Sequence, residues 1–190
     1  MLAVVVIVAT TAGCGIVSGR VAILGDSITR LSSDSLHAAL DDDYSVHIVG
    51  KPGARVDEMQ AEATLLARGR PDKVIINLGT NDAIQGYPAA STRHNLEQLL
   101  DTFDAARCVV FVTIDEALEV YGSPRRAGAR AVNVQIRQIA DGRPDVKIVD
   151  WNRIVAEHGG ILTLTIDGVH PNARGQKLLA EADLEALASC

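Results

Sequence analysis

Two runs of apolar residues, Val74-Ile75-Ile76 and Val109-Val110-Phe111-Val112, constrain this chain more than any other feature in it. Neither alternates with polar residues, so each reads as a strand covered on both faces, the situation of a strand in a parallel sheet. With the runs at 21–26, 44–49 and 146–151, the segments 73–78 and 108–114 make five predicted strands. Helical periodicity fills the intervals, most clearly in Leu96, Leu99, Leu100 and Phe103 and in Val132, Ile136 and Ile139. The predicted helices cover 31–40, 56–68, 90–103, 126–140 and 173–187. Strands alternating with helices in this way predict an α/β chain folded as a three-layer α/β/α sandwich.

One domain over 20–190 accommodates all of these elements. The net charge is −6 and no basic tract exists, which argues against a nucleic-acid partner, because phosphate neutralisation needs clustered Lys and Arg. Asp41-Asp42-Asp43 falls between a helix and a strand and reads as a solvated turn.

Residues 1–15, MLAVVVIVATTAGCG, differ in composition from the rest of the chain. Their apolar core is far shorter than the ~20 residues of a membrane-spanning helix and has the length of a secretory apolar region. Thr11-Ala12-Gly13-Cys14 resembles a bacterial lipobox, although Thr11 replaces the usual large apolar residue and no basic residue precedes the apolar run. The expectation is an exported cell-envelope lipoprotein with membrane anchoring through a lipidated Cys14. The alternative is a cytoplasmic protein with an extra apolar strand or helix at its amino terminus. The three cysteines predict no disulfide framework: Cys108 falls in an apolar strand as an inert buried residue, and Cys190 ends the chain. No Cys/His spacing suggests a metal site.

Right-handed crossovers bring the strand ends near Ser27, Gly50, Gly79 and Ile114 to one edge of the sheet, where open α/β sheets bind ligands. Ser27 lies in Gly25-Asp26-Ser27, at a turn into a helix whose backbone N–H groups favour developing negative charge. It is the candidate nucleophile, while the turn alone suits equally a Ser27 or Thr29 that caps the helix. In Gly79-Thr80-Asn81-Asp82 the Asn81 amide can donate to an oxyanion or form an Asx turn. In Asp167-Gly168-Val169-His170-Pro171 the carboxylate can fix the imidazole tautomer and leave the other ring nitrogen for a serine. His37, His47, His94 and His158 read as surface or packing residues, and Trp151 as packing at a strand end.

Together these three blocks resemble the SGNH hydrolases, also called the GDSL esterase/lipase family, from about Val21 to the end of the chain. The resemblance implies a flavodoxin-like five-stranded parallel sheet, with Ser27 as nucleophile, His170 as base and then acid, and Asp167 as its orienter. It implies an oxyanion hole made by the Ser27 N–H, the Gly53 N–H and the Asn81 side chain, with Gly50 as the alternative glycine. No cofactor is implied. An α/β-hydrolase is disfavoured because Thr29 stands where Gly-x-Ser-x-Gly needs its last glycine. A phosphate loop is disfavoured because Pro52 follows Gly50-Lys51.

The expected reaction is hydrolysis of short-chain, acetyl-like carboxylic esters through an acyl-enzyme. The substrate would be a small ester or an acylated glycan or lipid. The alternatives are transfer of the acyl group to a sugar hydroxyl and a non-catalytic module that holds a ligand or flavin at the same edge. Short acyl groups are expected because 83–88 and 115–124 offer little apolar bulk to wall a long chain, each methylene of which gains ~0.8 kcal/mol only when buried. Arg30, Arg55, Arg125 and Arg126 read as solvated surface; if they converged on the edge, they would favour an anionic alcohol moiety.

Overall fold

The computed structural model describes residues 18–190. The leader predicted over 1–15, with Cys14, lies outside the described residues. Five parallel strands form the central sheet: β1 (Arg20–Gly25), β2 (Ser45–Gly50), β3 (Lys73–Asn77), β4 (Cys108–Val112) and β7 (Val146–Val149). Their order is β2-β1-β3-β4-β7, so the predicted three-layer sandwich with a flavodoxin-like sheet is the observed fold.

Alternation within each strand divides the interior. Ala22, Leu24, Val74, Ile76, Val109 and Phe111 face one layer of helices, α3 (Gln60–Arg68), α5 (Ala89–Thr102) and α6 (Arg126–Ala140). Val21, Ile23, Ile75, Val110 and Val112 face the other, where α2 (Ser33–Leu40), α7 (Trp151–Glu157) and α9 (Ala173–Ala188) pack. Both faces of the inner strands are therefore dry, which is why their sequences show no polar alternation. Leu96, Leu99 and Leu100 of α5 and Val132, Ile136 and Ile139 of α6 form the stripes that their spacing predicted. Among the described residues no helix is long and apolar enough to cross a membrane.

The differences from expectation lie in short elements. Ser27–Leu31 is a separate helix, α1, and Ser32 divides it from α2. The predicted helix 56–68 opens as a 3-10 turn at Val56–Met59. The last predicted strand stops at Val149, because Asp150 caps α7 and turns Trp151 into the core. Further short helices, α4 (Thr80–Gln85) and α8 (Ile161–Leu164), follow β3 and α7. An antiparallel hairpin, β5 (Glu119–Val120) and β6 (Ser123–Pro124), stands between β4 and α6. Elements of two to seven residues carry too few positions for periodicity to reveal them.

One reading of the cysteines is corrected. Cys108, at the start of β4, forms a disulfide with Cys190, just beyond α9, across a sequence separation of 82 with Cα atoms 5.9 Å apart. Cys108 is thus buried but not a free thiol. The pairing was hidden because α9 returns the chain terminus to the amino-terminal edge of β4, a tertiary relationship that spacing does not encode.

Candidate active site

Register explains why distant blocks meet. Gly25 pairs with Gly50 on one side and Asn77 on the other, so the segments leaving β1, β2 and β3 emerge at one level. After Gly25 the chain turns at once into α1. A side chain at Gly25 would place its Cβ 2.5 Å from Thr29 Cβ, so only glycine allows this turn. The helix is capped by Asp26, whose Oδ1 accepts from the Ile28 N–H at 2.9 Å. Ser27 is consequently the first helical residue and makes no cap.

His170 reaches Ser27 from a loop before α9. Its Nε2 lies 3.0 Å from Ser27 Oγ, and its Nδ1 lies 2.7 Å from Asp167 Oδ2. Asp167 Oδ1 accepts from the backbone N–H groups of Val169 and His170, at 3.1 and 2.8 Å. Burial works against the Asp167 carboxylate, but these amides and the His170 ring outweigh it and hold its pKa below the usual range. An ionised Asp167 can only accept a hydrogen bond, so the ring nitrogen facing it, Nδ1, carries the hydrogen, which leaves the Nε2 lone pair for the Ser27 hydroxyl. Gly168, at φ +84°, lets the loop double back, and Thr165 Oγ1 accepts from its N–H at 3.0 Å.

Asn81 sits in the first turn of α4. Its Nδ2 donates to Asp26 Oδ2 and to the Ala54 carbonyl, both at 3.1 Å. Asp82, beside it, is buried and serves the frame: it accepts from Val56 N–H at 3.1 Å and from the Thr92 hydroxyl at 2.9 Å. Burial pushes the Asp26 pKa up to about 7, against the lowering effects of the Ile28 amide, His170 and Asn81.

Ser27, Asn81, Asp167 and His170 line one open cavity of about 190 Å3, with Thr80, Ile84, Glu119, Val120, Tyr121 and Val169. The two candidate glycines are not among its lining residues. Gly53 is exposed at φ +76°, and its carbonyl accepts from Gln85 Nε2 at 3.3 Å. A Cβ at Gly50 would lie 2.6 Å from the Arg30 nitrogen, so close packing of β2 beneath α1 accounts for that glycine. The four arginines do not line the cavity either. Arg55 is taken up by Asp57 and Glu58, by Gln85, and by the face of Tyr87 at 4.9 Å. A larger groove of about 600 Å3 between β2 and α3 lies at the other end of the sheet.

Two features of the site were not legible in the sequence. Asp26 looks like a generic turn residue, and its link to Asn81 depends on the β1–β3 register. The hairpin that supplies Glu119, Val120 and Tyr121 left one trace, the Tyr121-Gly122 dipeptide, whose glycine is a turn signal.

The model of the GDSL-like Lipase/Acylhydrolase family matches residues 23–178. Among solved structures, the acetylxylan esterase Axe2 from Geobacillus stearothermophilus is similar, with TM-score 0.71 and 20% identity over 90% of this chain and 94% of that one. LAE5, an alpha/beta hydrolase enzyme from the metagenome of Lake Arreo, gives TM-score 0.72 and 21% identity, covering 91% and 96%. A member of the lipolytic protein G-D-S-L family from Veillonella parvula gives 0.71 and 22%, covering 89% and 98%. At these identities the likeness concerns the fold. A search of curated proteins finds no match to the chain.

Proposed function

Because the chain belongs to the GDSL-like lipase/acylhydrolase family, we propose that it is a serine esterase that hydrolyses short-chain carboxylic esters through an acyl-enzyme. The observation that carries this reading is the continuous relay from Asp167 through His170 to Ser27, at 2.7 and 3.0 Å. His170 Nε2 takes the Ser27 proton as Oγ attacks the ester carbonyl, and Asp167 stabilises the imidazolium that forms. The imidazolium then gives its proton to the leaving alcohol. Water, deprotonated by the same nitrogen, releases the acid and restores Ser27.

The oxyanion is assigned to the Ser27 N–H and the Asn81 amide, both of residues that line the cavity, whereas the expected Gly53 donor is not among its lining residues. Because Asn81 donates to Asp26 and Ala54 in the free protein, one of those bonds gives way when the oxyanion arrives. The preference for acetyl-like acyl groups rests on the size of the cavity, about 190 Å3. The similar structure from Geobacillus stearothermophilus is an acetylxylan esterase, which makes an acylated glycan a fitting substrate class. Export belongs to the same reading, since disulfides such as Cys108–Cys190 persist in oxidising compartments. A lipid anchor at Cys14 rests on the lipobox-like residues before it alone.

Hydrolysis of p-nitrophenyl esters from acetate to palmitate, with Ser27→Ala as control, tests the proposal. Rates should be highest at acetate to butyrate and vanish in the variant. Equal rates in the two proteins, or a steady rise toward palmitate, would contradict it. Fluorophosphonate labelling that disappears in Ser27→Ala would identify the nucleophile independently.

A further inference from the structure

Tyr121 occupies a costly position. It is wholly exposed at the tip of the β5–β6 hairpin, and its φ is +50°, followed by Gly122 at +71°. These are the central residues of a two-residue hairpin loop, where positive φ suits Gly, Asn and Asp and opposes a bulky side chain. The ring therefore strains the backbone and leaves apolar surface in water, and no packing offsets either effect. Backbone strain of this kind, once observed, points toward function.

The hairpin is also fixed to the catalytic loop. The Glu119 N–H donates to the Gly168 carbonyl at 3.2 Å, while the Arg125 N–H, donating to the Leu118 carbonyl at 3.0 Å, closes the base of the hairpin itself. A Cβ on Gly168 would come within 3.1 Å of the Glu119 carbonyl oxygen, so the two segments touch without a side chain between them. Tyr121 and Glu119 consequently line the same cavity as Ser27 and His170.

We propose that Tyr121 is a specificity-determining platform on which a neutral saccharide ring, the alcohol part of the ester, stacks while its acyl group enters the cavity; this rests on the esterase reading above. An aromatic face carries negative charge density and attracts the weakly positive C–H groups on the flat side of a sugar ring. Glu119 supplies a carboxylate acceptor beside it for ring hydroxyls. Among the described residues no Lys or Arg lines the cavity, so the geometry favours a neutral alcohol over an anionic one.

The test compares kcat/KM for an acetylated methyl glucoside with that for ethyl acetate. In Tyr121→Ala the ratio of the two should fall at least tenfold, through KM for the glucoside ester, while Tyr121→Phe and Tyr121→Trp should keep it. A ratio unchanged in Tyr121→Ala would overturn the platform, and a fall seen only with acetylcholine would replace the saccharide by a cationic alcohol and overturn the proposed class. Titration of Ser27→Ala with the same glucoside ester, with and without Tyr121→Ala, reads the platform without turnover. Binding lost with the ring supports it and binding indifferent to the ring refutes it, whereas failure of the esterase reading would show separately as an unmutated protein inert toward ethyl acetate.

Discussion

Asn81 and Asp26, 55 residues apart in sequence, are joined by a hydrogen bond of 3.1 Å from the Asn81 amide to Asp26 Oδ2. Its other oxygen holds the start of α1 through Ile28. A single buried carboxylate thus ties the segment that bears Ser27 to the segment that bears Asn81, the proposed oxyanion donor, and it interacts electrostatically with His170 as well.

Asp26→Asn is expected to lower kcat on the order of tenfold, because Asn81 loses a charged anchor. It should also change the pH dependence of stability. Burial raises the native pKa of Asp26 from 3.8 to about 7, so between those values the folded state binds more proton than the unfolded one. Its contribution is full below pH 3.8 and is lost as pH rises through 7. Urea denaturation should therefore show the variant gaining on the parent from about pH 4 to about pH 8, on the order of 1–3 kcal/mol. A difference independent of pH would contradict this.

Asp183 follows the same sign, with no hydrogen-bond partner among the described residues for its Oδ1. It lies wholly buried on α9, its Oδ1 unpaired, and burial pushes its pKa to about 8. Ionisation at alkaline pH then works against the packing of α9. Asp183→Asn should stabilise the protein above about pH 8 by on the order of 2–4 kcal/mol and change little near pH 4. Thermal melts of both proteins across that range would decide.

Ser27→Ala and His170→Ala should each reduce kcat on the order of 10,000-fold or more while circular dichroism stays unchanged, since both side chains stand at a strand-end edge. Asp167→Asn should retain more activity than either. Asn81→Ala should cost about a hundredfold or more. Near-normal turnover by a folded His170→Ala protein would remove His170 as the base.

Cys190→Ser should lower stability by up to about 4.5 kcal/mol, the chain-entropy value for a closed loop of this size. Turnover at about 25 °C should hold, because Cys108 begins β4 at the edge opposite the cavity. Thiol titration of the unfolded parent, with and without reductant, should release two extra thiols on reduction.

Tyr121→Gly should raise stability by roughly 1 kcal/mol, since it removes positive-φ strain at an exposed position. The gain should come with lost preference for saccharide esters. Denaturation and selectivity measured on one preparation would test both.

The sheet was legible because its inner strands are dry on both faces and α5 and α6 repeat their apolar residues at helical spacing. Ser27, Asn81, Asp167 and His170 were legible because each follows a strand end or stands in a compact local block. Gly53 and Gly50 were harder: glycine is selected for packing as readily as for donation, and at Gly50 the contact with Arg30 accounts for it. Asp26 required the register between β1 and β3, and the Cys108–Cys190 pair required the return of α9. Each is a long-range relation that local composition does not carry. The hairpin was too short for its pattern to stand out, and its place beside the cavity depends on docking against Gly168.

The cross-link and the cavity occupy opposite ends of one rigid sheet. Loss of the bridge would therefore shorten how long a molecule survives without altering how fast a surviving molecule turns over. For production, this separates two choices: the folding compartment sets the yield of durable protein, and the hairpin, remote from the bridge, is where libraries aimed at new alcohol moieties of the ester can be built without eroding it.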